Sequence, residues 1–230
     1  MAKHMRSVLF DLDETLLDRS ASLRAFALWQ SRGMLRREIA DPNYFCQRFI
    51  ELDANGGVLK NKVYLQLIDE FGICDWTVSE LTSSYDLCFS GFCREKPGAL
   101  NAVKELKGMG LKLGLISNGR SPFQERNFQA LGVSELFDAI IVSEAVGIRK
   151  PERRIFELAC EQTGIPAVET VFVGDNPEAD IDGANDCGMY TVFVPGHYGE
   201  TYKNANAVCG NYDELVGIVQ EAVTGQGLGR

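Results

Sequence analysis

The chain has 230 residues, 45% apolar and 24% charged, with a net charge of −9. That length and balance suit one large globular domain, or a domain carrying an insertion, and allow a full core. The acidic balance argues against nonspecific nucleic-acid binding, which rests on Lys and Arg against phosphate, yet it admits a small phosphorylated ligand held by one lysine and a metal.

The first residues, Met1 to Met5, hold no signal-peptide core, and the second methionine suggests extra residues ahead of the native start. Short apolar runs then recur with helical stretches between them: Val8–Phe10, Leu111–Ile116, Ala139–Val142, Val171–Val173 and Tyr190–Val194. Each reads as a strand buried on both faces, the pattern of a parallel sheet. Between about Asp18 and Glu95 no strand is evident. Leu23, Phe26 and Ala27 suggest a helix. Asp41-Pro42 reads as an N-cap with proline in the first turn, leading into Tyr44, Phe45, Phe49 and Ile50. Val63, Tyr64, Leu67, Ile68 and Phe71 form a 3-4 repeat stopped by Gly72, and Thr77 with Glu80 forms a capping box ahead of Leu81, Tyr85 and Phe89. Pro97-Gly98 marks the return to the sheet.

Helices follow on the stripes Leu100, Val103, Leu106 and Phe123, Phe128, Leu131, the second closed by Gly132. Ile155, Phe156 and Ala159 imply a helix ending near Gly164; Pro177 to Cys187 one closed by Gly188; Tyr212 to Val223 a last one. Gly225, Gly227 and Gly229 lie in a polar tail and read as a disordered end with no phosphate-loop role. The alternation predicts an α/β, Rossmann-like, doubly wound parallel core made of residues 1–17 and 96–230, with an inserted α-helical unit over 18–95. The seven cysteines are scattered without a Cys-x-x-Cys pair, which suits reduced thiols and a cytoplasmic location. Two histidines, His4 and His197, make a histidine-rich zinc site improbable, and no apolar stretch reaches membrane-span length.

Chemistry concentrates at the predicted strand ends. Asp11 and Asp13 close the first run, Ser117-Asn118-Gly119 the second, Lys150-Pro151 follows the third, and Gly174-Asp175 the fourth. Carboxyl ends of neighbouring parallel strands converge, so these distant residues can share one crevice. Taken singly, each has an ordinary explanation: a solvated turn, a turn glycine, a surface cation, or caps at Asp175 and Asp180 favoured by a helix dipole. Together they supply what phosphoryl transfer needs. Two carboxylates two residues apart repel unless a cation or a shared proton lies between them.

The four segments Asp11-Leu12-Asp13-Glu14-Thr15, Ser117-Asn118-Gly119, Lys150-Pro151 and Gly174-Asp175-Asn176-Pro177-Glu178-Ala179-Asp180 resemble the ordered motifs of the haloacid dehalogenase superfamily. The helical insertion resembles the cap of its first cap class. The resemblance implies a Rossmann-like core and magnesium-dependent phosphomonoester hydrolysis through an aspartyl-phosphate, on a small phosphorylated metabolite, by a monomer or homodimer. It implies Asp11 as nucleophile and Asp13 as general acid then base. Asp11, Asp175 and the backbone carbonyl of Asp13 would ligate Mg2+. Ser117, the amide of Asn118, and Lys150 would hold phosphate, and Asp180 would support Lys150 or metal-bound water. Carbon–halogen hydrolysis is the nearest alternative, disfavoured by Asp13, which that reaction does not need; phosphosugar mutation is another. A noncatalytic module on the same fold is a third, disfavoured because every key position is present. A serine hydrolase is unsupported, since Ser117 lacks a Gly-x-Ser-x-Gly elbow. The inserted unit is expected to exclude water and select the substrate, with Asn55-Gly56-Gly57 and the segment from Arg19 to Arg24 as candidate contacts.

Overall fold

The computed structural model describes residues 5–224, so His4 and the glycines of the tail lie outside the described residues. The chain forms two compact units, Met1–Leu17 with Glu95–Arg230, and Asp18–Arg94. In chain order, β1 (Ser7–Phe10) is followed by α1 (Arg19–Arg32), α2 (Pro42–Asp53), α3 (Lys60–Phe71) and α4 (Val78–Cys88). Then come α5 (Ala99–Gly108), β2 (Lys112–Ser117), α6 (Phe123–Ala130), β3 (Ala139–Val142), α7 (Ser143–Val146) and α8 (Arg153–Thr163). The chain continues through β4 (Thr170–Gly174), a wide helical turn over Pro177–Asp182, α9 (Gly183–Asp186), β5 (Tyr190–Phe193), β6 (Ala207–Val208) and α10 (Leu215–Thr224).

The six strands form one parallel sheet in the order β3-β2-β1-β4-β5-β6. β1 is inside, with Phe10 opposite Leu115 of β2 and Val173 of β4. All four residues of β1 and all five of β4 are buried, as strands covered on both faces must be. One face packs Leu9, Ile116, Ile141 and Phe172 against Ile155, Phe156 and Ala159 of α8. The rings of Phe156 and Phe172 meet edge-on at 5.3 Å. Gly114 is required by close approach, since a Cβ there would lie 2.5 Å from Leu9 Cδ2.

At the amino end of the sheet, Asp138 ties β2 to α5 and to the start of β3. Its carboxylate accepts from Lys107 Nζ at 2.7 Å, Lys112 Nζ at 2.8 Å and the Leu113 amide at 3.0 Å.

The helical unit has its own core, in which Phe26 contacts Phe49, Tyr85, Phe89 and Phe92, and Tyr64 meets Phe49. Its caps follow the sequence signals. Asp41 accepts from the Asn43 and Tyr44 amides, Thr77 and Glu80 bond reciprocally, and Gly72 ends α3 at φ 63°.

The sheet-bearing unit differs from the sequence expectations: α7 is an added single turn, and Ile140 leaves one face of β3 exposed. β6 was not expected. The stretch from Pro177 to Cys187 is two segments, the first wound more widely than an α-helix. The inner face of α6 is Gln124, Asn127 and Phe128, whereas Phe123 and Leu131 of the expected stripe are only half-buried. Gln124 is polar there because Ser117 of β2 and Asp13 of the loop after β1 accept from it, and Asn127 donates to Gln124.

Candidate active site

β1 ends at Phe10, and the Asp11 amide extends its ladder by donating to Val173 O at 3.0 Å. The backbone then turns through Glu14, at φ 59°, whose carboxylate pairs with Lys96 at 2.7 Å. Tyr212 O–H donates to Thr15 O at 2.5 Å from the far end of the chain. The loop bearing Asp11 and Asp13 is thus braced from two other segments.

Lys150 reaches this loop from beyond β3. It is 3% exposed, donates from Nζ to Asp11 Oδ1 at 2.6 Å, and lies over the Phe172 ring at 5.5 Å. Its Nζ is also 2.7 Å from Asp180 Oδ1, a contact of charges without hydrogen-bond alignment. Asp180 Oδ2 accepts from the Asn176 amide at 3.0 Å. Gly174 makes room for Asp180, because a Cβ at 174 would stand 2.5 Å from its Oδ2.

Two buried carboxylates, Asp11 and Asp180, therefore contact one buried ammonium, and a third, Asp175, lies close to both. Oxygens of Asp11, Asp175 and Asp180 lie within 4.8 Å of one another. Burial pushes Asp11 up to about 7; Lys150 opposes this, while Asp180 and Asp13 add to it. Burial, then Asp11 and Asp180, push Asp175 up to about 9. Burial draws Lys150 down, but Asp11 and Asp180 outweigh it and hold its pKa above the ordinary lysine value. The carboxylates outnumber the cation, and for Asp11 and Asp175 the neighbouring negative charge adds to the effect of burial. Hard oxygen donors with excess negative charge are the donor set that a divalent cation such as magnesium takes.

Asp13 is half-buried, and its Oδ2 accepts from Gln124 Nε2 at 2.7 Å. The same Nε2 donates to Ser117 Oγ at 3.0 Å. Ser117, at the end of β2, is 1% exposed. The Asn118 side chain is committed to the backbone of Lys150: its Nδ2 donates to Lys150 O and its Oδ1 accepts from Lys150 N, both at 2.9 Å. Ser143 Oγ bonds the amide and carbonyl of Gly119 and fixes the same turn.

The structure brings Asp11, Lys150, Asp175 and Asp180 together, and joins Asp13 to Ser117 through Gln124. Asn118 uses its side chain to clamp the Lys150 loop. Gln124 and Asn127 were missed, although a glutamine seven residues after Ser117 on the inner side of a helix is visible as a polar interruption of an apolar face. In the helical unit, Arg19 Nη2 pairs with Asp53 at 2.8 Å, Lys60 also pairs with Asp53, and Asp53 accepts from the Gly56 amide at 2.8 Å. Arg19 is thus engaged inside its own unit and steadies the Asn55-Gly56-Gly57 loop.

A model of haloacid dehalogenase-like hydrolases matches residues 5–188. The chain is 30% identical over 232 residues to a glyceraldehyde 3-phosphate phosphatase of Methanocaldococcus jannaschii, covering 94% of this chain and 97% of that one. It is 34% identical over 122 residues to the pyrimidine 5′-nucleotidase YjjG of Escherichia coli, covering 53% and 54% of the two chains. Its fold is similar to that of the HAD-hydrolase YfnB of Bacillus subtilis, solved bound to magnesium, with a TM-score of 0.74, 23% identity, and 94% and 99% of the chains covered. The chain belongs to the haloacid dehalogenase-like hydrolases. Among the described residues no helix is long and apolar enough to cross a membrane.

Proposed function

We propose that this hydrolase is a magnesium-dependent phosphomonoesterase acting on a small phosphorylated metabolite. The observation that carries the reading is the presence of a buried carboxylate bonded to a lysine, Asp11 with Lys150, beside a second carboxylate, Asp13, that accepts from a different donor, Gln124. The similarity to phosphatases supports it. They differ in named substrate, so the metabolite is left at its class.

Asp11 attacks phosphorus, and the bond to the ester oxygen breaks. Asp13 delivers a proton to that leaving oxygen, then removes one from the water that cleaves the aspartyl-phosphate and releases orthophosphate. Lys150 fixes one Asp11 oxygen and neutralises charge near the transferring group. Ser117 and the Asn118 amide hold phosphate oxygens. Asp11, Asp175 and the Asp13 carbonyl would hold magnesium, which would supply charge neutralisation for phosphate beside carboxylates. Asp180 positions Lys150. Residues 18–95 serve as the cap that selects the leaving group. The reduced thiols suit a cytoplasmic enzyme, monomeric or homodimeric.

The test is a panel of phosphorylated metabolites with magnesium, read by phosphate release, with Asp11→Asn alongside. Wild type should turn over at least one member and Asp11→Asn none. Folded wild type that releases no phosphate from any member sinks the proposal. Haloacid turnover that persists in chelator would replace it with dehalogenation.

A further inference from the structure

We infer that Gln124 is a positioning residue that sets the hydrogen-bond polarity of both the proton-transfer carboxylate and the phosphate-holding hydroxyl; this rests on the phosphatase reading. Gln124 is 3% exposed, on the inner face of α6. A primary amide presents two donors on nitrogen and an acceptor on oxygen. Here both donors are directed into the site, one to Asp13 Oδ2 at 2.7 Å and one to Ser117 Oγ at 3.0 Å. Asn127 Nδ2 donates to Gln124 Oε1 at 3.3 Å, which orients the amide so that its nitrogen faces the site. Gly119 makes room for this, since a Cβ there would lie 2.6 Å from Gln124 Cγ.

Two consequences follow from donor and acceptor counting. The carbonyl-type oxygen of a carboxyl group is its better acceptor, so the Gln124 donor disfavours a proton on Asp13 Oδ2. A serine hydroxyl that accepts through oxygen keeps its single hydrogen for another acceptor, so Ser117 donates toward a phosphate oxygen. Gln124 touches neither substrate nor metal in this scheme. It decides which atoms of its two neighbours do.

Gln124→Met keeps length and volume and removes both donors; Gln124→Glu keeps the shape and replaces them with acceptors. Both would be assayed with magnesium on an alkyl phosphate, whose leaving oxygen needs a proton, and on p-nitrophenyl phosphate, whose leaving group does not. The alkyl kcat should fall by a factor at least about ten times larger than the aryl kcat. In an Asp13→Asn background, Gln124→Met should add less than about threefold to the alkyl loss. Equal losses on both substrates in either soluble variant, with unfolding midpoints near wild type, would overturn the inference and leave the phosphatase reading intact. So would full additivity with Asp13→Asn. Wild type inactive on both substrates and on the metabolite panel would refute the phosphatase reading and the inference with it.

Discussion

Replacing Asp138 with asparagine removes the charge that joins α5, β2 and β3 at the end of the sheet opposite the site. Burial raises the Asp138 pKa, but hydrogen bonds from Lys107, Lys112 and the Leu113 amide outweigh it and lower the value from 3.8 to about 2. At about 1.4 kcal/mol for each tenfold change in proton affinity, that difference corresponds to about 2.4 kcal/mol. The lysines are 32% and 50% exposed, so solvent screening reduces the expected loss to between about 1 and 2 kcal/mol. The folded pKa is depressed, so the contribution is complete above the unfolded value of 3.8 and disappears as pH falls through about 2. Urea unfolding of wild type and Asp138→Asn at matched pH reads it directly. The gap should be constant between about pH 7 and 5, narrow below about pH 4, and be roughly halved near pH 3. A gap under about 0.3 kcal/mol at neutral pH, or one unchanged down to about pH 3, refutes the argument.

Other outcomes follow from the site. Gly174→Ala should cost about 1–3 kcal/mol and lower kcat, because the new methyl group displaces Asp180 from Lys150; a variant of unchanged thermal midpoint and rate would contradict that packing. Lys150→Met leaves Asp11 and Asp180 buried without their cation, so activity should drop by more than about 100-fold, with Asp180→Asn in the same chain recovering part of the lost stability in a denaturant titration. Chelation should abolish phosphate release, and added magnesium should restore it and raise the unfolding temperature of Asp11-intact protein by mass action.

Residues legible from sequence were those whose local pattern and final environment agree. β1 and β4 are continuous apolar runs because both faces are covered, and the motif residues stand at their ends. The Asp41 and Thr77 caps bond within three residues and need no tertiary information. Other features depend on sequence-distant partners. Gln124 is buried because Asp13, 111 residues earlier, accepts its donor, and periodicity has no term for that. β6 is two residues long and carries no alternation to recognise; it exists because Val192 and Phe193 offer it an edge. The Asn118 side chain is spent on the backbone of Lys150, 32 residues away in sequence, and no local pattern announces that clamp.

The chain leaves the sheet-bearing unit after Leu17 and returns at Glu95, and those two residues bridge each other. Leu16 O accepts from Lys96 N at 2.9 Å, and Asp18 N donates to Arg94 O at 2.8 Å. The excursion thus begins and ends at one stitched doorway, outside every strand ladder. Rewriting residues 18–94, in length or in kind, asks nothing of the register that aligns Asp11, Ser117 and Asp175. The sheet-bearing unit and the inserted unit can therefore change independently in this chain, with one kept fixed while the other is exchanged whole.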